Sequence, residues 1–173
     1  MTITTNARIA GVTFVTYIAA GIAALALGGG SHAADVLTIV TSLSALTLGV
    51  TLCAITRDVD RDLALLALLC RVVEAVPGHK GGPVFFAVGS TLFCWLLLRG
   101  KLIPLALAGL GAMASVLLVS LLMLQRAGLL GAGSNWSSAA TWVAWLPMLV
   151  FELAFAAWLI VKGVAVPQRR QSV

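Results

Sequence analysis

The sequence predicts an all-α fold, a polytopic transmembrane bundle of six helices, from three observations. Apolar residues make up 61% of the chain, charged residues only 10%, and the mean hydropathy is +1.08. A soluble domain is roughly 45–50% apolar and about 25% charged. Apolar runs recur at lengths that suit a spanning helix, which needs about 20 residues. Basic residues gather at the ends of those runs, where topology signals belong. So few charges cannot cover a water-facing surface, and the expected solvent is lipid. The 173 residues read as one transmembrane helical domain.

Four runs are long enough to span without help: residues 9–27, 36–55, 102–124 and 142–161. Two shorter runs, 63–76 and 84–98, are joined by the turn Pro77-Gly-His-Lys-Gly-Gly-Pro83. Continuing the first of these back through Asp62 and Arg61 gives a third helix over 61–76. A hairpin that dips in and returns is the alternative, but it would bury Lys80 at its tip. Six helices are therefore expected. The start of the chain also resembles a secretory signal, with Arg8, an apolar stretch and then Ser31-His32-Ala33. Its apolar run is longer than the roughly 7–15 residues of a signal core, so it is read as a membrane helix.

With the amino terminus in the cytoplasm, Arg8, Arg57, Arg61, Arg99, Lys101, Lys162, Arg169 and Arg170 are inside, and only Lys80 and Arg126 are outside. That bias predicts a multi-pass protein of the bacterial cytoplasmic membrane with both termini cytoplasmic. The net charge of +5 is spread over single and paired residues, so nucleic acid is not an expected partner. The expected partners are the lipid bilayer and either a second copy or another membrane component. Small residues repeat every fourth position at Ala20, Ala24 and Gly28, and again at Gly111 and Ser115. That spacing serves close packing within one bundle or a seam between copies. Trp136, Trp142 and Trp145, with Trp158 and Trp95, read as aromatic belts, and Pro147 as a kink in the sixth helix.

Chemistry can reside in only a few side chains. Arg71, Glu74 and Glu152 lie inside apolar runs, where a charge costs roughly 2.5–3.5 kcal/mol on insertion scales. Arg71 is eight residues past Leu63, about 12 Å deep, and Glu152 ten past Trp142, about 15 Å deep. Matched depth predicts an ion pair locking helix three to helix six, with Glu74 as a second acceptor. The same cluster could line a polar cavity, and Pro147 one turn before Glu152 suits such a site. A protonated, unpaired Glu152 is a third reading. Thr38, Thr41, Ser42, Ser44, Thr47 and Thr51 stud the second helix, where hydroxyls commonly bond back to their own backbone. His32, Asp35 and His79 read as solvated loop residues, and Cys53, Cys70 and Cys94 as buried thiols, so neither metal nor other cofactor is expected. No nucleophile–base pair, phosphate loop or redox CxxC is present, which points away from an enzyme.

Larger motifs carry a resemblance. Arg8-Ile-Ala-Gly11 with Tyr17, Cys70-Arg71-Val-Val-Glu74-Ala, Trp95-Leu-Leu-Leu-Arg99-Gly-Lys101-Leu-Ile-Pro104, Pro147-Met-Leu-Val-Phe-Glu152-Leu and Ala157-Trp158-Leu-Ile-Val-Lys162-Gly163 follow one another along the chain. Together they resemble a bacterial integral membrane protein family known only as domain of unknown function 4386. The resemblance implies a six-helix inner-membrane protein in which Arg71, Glu74, Pro104, Glu152 and Lys162 match the pattern, and it implies no activity. Members are longer between the Arg–Glu motif and helix four, a stretch that here shrinks to residues 77–83. The expected role is a non-enzymatic accessory or scaffold component of the membrane. The alternatives are a small transporter or channel built on the Arg–Glu cluster, and a lipid or apolar-ligand binder using the gap beside short helices three and four.

Overall fold

The computed structural model describes residues 2–28, 30–129 and 139–165, so Trp136, Arg169 and Arg170 lie outside the described residues. Six helices follow in order: α1 (Ile3–Leu27), α2 (His32–Thr56), α3 (Arg61–Glu74), α4 (Gly82–Arg99), α5 (Leu105–Arg126) and α6 (Ala139–Val161). Short polar side chains start three of them. Thr2 accepts from the Thr5 amide, Ser31 from Ala34 and Asp60 from Leu63, each satisfying an orphan donor of the first turn. These caps place the starts of α1 and α2 several residues earlier than the apolar runs suggest.

Proline sets two other boundaries. The fifth apolar run begins at Leu102, yet α5 begins at Leu105, because Pro104 cannot donate within a helix and disfavours helical backbone before it. Lys101 turns the chain there at φ 51°, and Leu102 and Ile103 are buried in the linker. Likewise α3 stops at Glu74, two residues short of the expected end, with Pro77 just beyond. At 14 residues it is too short to cross a hydrocarbon core alone. Four helices (α1, α2, α4 and α5) are long and apolar enough to do so, and α6 adds the apolar stretch Trp145–Val161.

The helices close into a ring in chain order. Each packs on its sequence neighbour, α1 packs on α6, and α2 also reaches α4. The inside is filled by Phe14, Leu48, Leu52, Phe93, Leu118 and Phe155. The outside carries Val12, Leu43, Leu69, Leu117 and Leu153, an apolar surface suited to lipid. Gly111 allows one of the tight contacts, since a Cβ there would lie 2.5 Å from the Phe151 ring and 2.7 Å from Cys94 Sγ. On α5, then, the small-residue spacing serves packing within the bundle.

Ring order corrects one expectation. Helix three does not pack against helix six among the described residues; the two stand across the ring from one another. Polar clasps mark its two ends. At one, Arg99 pairs with Asp60 at 3.3 Å, and the Ala165 amide donates to the Leu102 carbonyl at 2.9 Å. At the other, Arg126 donates to the Lys80 carbonyl.

Candidate functional site

Arg71 and Glu152 both point inward, only 1% and 5% exposed. Their expected ion pair is nevertheless absent. Among the described residues the ion pairs are Arg71–Glu74 and Arg99–Asp60, and no nitrogen of Arg71 comes within 4.0 Å of Glu152. Matched depth puts two side chains at one level of a bundle; contact also requires that they span the distance between their helices, and α3 and α6 do not pack on each other among the described residues. Arg71 therefore pairs within its own helix, where Nη1 meets Glu74 Oε2 at 2.9 Å, one turn away.

Two further groups complete that arrangement. Arg71 Nη2 donates to Ser90 Oγ at 3.2 Å, and the guanidinium carbon lies 4.8 Å from the centre of the Phe86 ring. The Tyr17 hydroxyl donates to the other Glu74 oxygen at 2.7 Å, tying α1 to the end of α3. Close backbone approach holds the guanidinium stem in place. On α2, a Cβ at Gly49 would lie 2.9 Å from Arg71 Cβ; on α4, one at Gly89 would lie 3.0 Å from Cys70 Cβ. Sequence reasoning did not include Tyr17 or Ser90 in the cluster. A signal existed for Tyr17, the one tyrosine of the chain, set mid-run where its hydroxyl needs a polar partner.

Glu152 is left differently. Its Oε1 is buried without a hydrogen-bond partner among the described residues, as is Arg71 Nε. Leaving a buried polar group unmatched costs on the order of 1–3 kcal/mol, and more for a charge. Glu152 also lines a cavity of about 610 Å³, together with Tyr17, Ala45, Glu74 and Phe86. The cavity arises because α3 is short. Its turn to α4, through Val76, Pro77, Gly78 and His79, borders the space. The C-terminal half of α1 and the N-terminal halves of α2 and α6 line the rest. Each turns one face inward, seen on α6 as Trp142, Trp145, Leu149 and Glu152. Ten residues separate Trp142 from Glu152, about 15 Å along the helix.

The walls are aromatic and acceptor-rich. Tyr17 stacks on Phe86 at 6.3 Å and Phe86 on Trp145 at 5.4 Å, so Trp145 is a cavity residue as much as a belt residue. Trp95 is half exposed on α4, away from this cavity. Thr38 and Thr41 reach the cavity while donating to the Ala34 and Leu37 carbonyls, the back-bonding expected of helix-two hydroxyls. Asp35 and His79 also line it, and His79 packs beside Phe85. Of the small-residue stripe on α1, Ala24 and Gly28 face this space. No three His, Cys, Asp or Glu side chains converge as a metal site among the described residues, and Cys53, Cys70 and Cys94 are buried free thiols.

No curated protein and no solved structure matches the chain. Residues 77–163, from the α3–α4 turn through the end of α6, do match a family, described as Domain of unknown function (DUF4386). The match takes in Pro104, Glu152 and Lys162 and begins just after Arg71 and Glu74. With half of its length so matched and its apolar helices able to cross a bilayer, the chain is a membrane protein that belongs to the DUF4386 family.

Proposed function

We propose that this protein binds a small solute within the membrane, as a transporter or channel does, with Tyr17, Glu74 and Glu152 forming the floor of its binding site. One observation carries the reading: the Glu152 carboxylate, inside the apolar stretch of α6, buried and without an ion-pair partner among the described residues, borders a cavity of about 610 Å³. Intramembrane ionisable groups mark solute paths by default, and ligand pockets commonly measure about 300–1,000 Å³. A carboxylate kept only for packing would sit against a cation, as Glu74 does. In this reading Arg71 holds Glu74 and Tyr17 in position. The basic residues at the opposite end of the bundle support a bacterial cytoplasmic membrane setting, with the cavity opening outward.

A purely structural role as an accessory or scaffold component also has support, in the Tyr17–Glu74–Arg71 chain that links α1 to α3. Water access separates the two. A cysteine introduced at Ser42, on the cavity wall, should react with a small water-soluble thiol reagent in membranes, while the three buried native thiols stay unlabelled. Reaction only after denaturation would leave the structural role standing.

A further inference from the structure

We propose that the cavity selects an amphipathic organic cation; this rests on the solute-binding reading above and names its ligand class. Among the described residues the acidic side chains lining the cavity are Asp35, Glu74 and Glu152, with His79 as the one basic type and no lysine or arginine. Arg71, the nearest buried cation, is spent on Glu74 and does not line the space. Glu152 remains as a buried carboxylate that an incoming positive charge would satisfy.

Three neutral polar groups point the same way. The hydroxyls of Thr38 and Thr41 give their protons to their own helix, and Tyr17 gives its proton to Glu74. What these three offer a ligand is oxygen lone pairs. Ser42, His79, Trp142 and Trp145 also line the space and carry donors, so the preference for a cation rests on the carboxylates, which repel anions. The Phe86 and Trp145 rings add π faces, which attract cations most strongly when water is excluded. Arg71 already lies over Phe86 in this fashion. Apolar walls from α1 and α6 then require that the cation carry hydrocarbon, so a bare metal ion or simple ammonium would be a poor fit.

The test uses two probes of equal shape and opposite charge, tetraphenylphosphonium and tetraphenylborate, on the full chain in lipid nanodiscs. Saturable binding of the phosphonium is expected, about tenfold weaker in Glu152→Gln, with no saturable binding of the borate. Equal saturable binding of both ions would overturn the proposal, as would unchanged phosphonium affinity in a folded Glu152→Gln. Should that variant not fold, the comparison of the two ions on the wild-type chain decides alone. If neither ion binds saturably while the cysteine at Ser42 is labelled, the cation class falls and the solute site stands. If that cysteine is also unreactive, both fall.

Discussion

Tyr17 donates its hydroxyl proton to Glu74 across 2.7 Å, and this bond joins the middle of α1 to the last residue of α3. The two helices are not neighbours in the ring, so the bond spans its interior. Tyr17→Phe keeps the ring and removes only the donor. A hydrogen bond to a charged acceptor contributes about 1.5–3 kcal/mol, so the variant's thermal midpoint in detergent should fall by roughly 3–10 °C. A wild-type midpoint would show that the bond does not persist in the folded protein.

The partner of Arg71 can be read by a double-mutant cycle. Arg71→Met should cost about 3–5 kcal/mol by stranding a buried carboxylate. Adding Glu74→Gln should recover part of that loss, with a coupling of about 0.5–3 kcal/mol. Adding Glu152→Gln should recover much less, since the ion pair of Arg71 is with Glu74 and none joins it to Glu152. The reverse ranking would mean that the guanidinium reaches across the ring.

Asp60 and Arg99 form the second ion pair, and their exposure sets its worth. Arg99→Gln should change stability by less than about 1 kcal/mol, because exposed pairs are screened by water and salt. Asp60→Ala should cost about 1 kcal/mol, since Asp60 also caps α3 through the Leu63 amide. Chemical unfolding of the two variants side by side checks the ordering. Equal losses would assign the whole effect to the ion pair.

Sidedness is open to direct labelling. Lys80 and Lys101 lie at opposite ends of the bundle, beside the Arg126 and Asp60 clasps respectively. With cysteine at each position in turn, an impermeant maleimide should label Lys80→Cys in intact cells, and Lys101→Cys only after permeabilisation. The opposite pattern would invert the orientation assigned from the basic residues.

The elements of this fold were largely legible in the sequence, because lipid imposes a length and a composition on every spanning helix. Arg71, Glu74 and Glu152 were equally legible as inward-facing groups, since each would be costly against acyl chains. Which of them meet was not. Hydropathy gives depth along the membrane normal and carries nothing about helix order around the bundle, so of the two acceptors expected for Arg71 only Glu74 pairs with it and Glu152 does not. A cavity beside the cluster was an expectation too, but its position and walls were not legible. It is defined by where α3 stops, and the consequence of that stop depends on the three helices rising beyond it.

A fourteen-residue helix measures about 20 Å, against a hydrocarbon thickness near 30 Å. Yet α3 turns Leu65, Leu66, Leu69 and Val72 outward, so this abbreviated segment meets acyl chains directly. The lipids beside it must shorten or disorder to meet its ends, while those beside the 25-residue α1 and α2 need not. One flank of the molecule is thus matched to a thinner bilayer than the other, and chain length of the surrounding lipid becomes a variable that acts on this protein through α3.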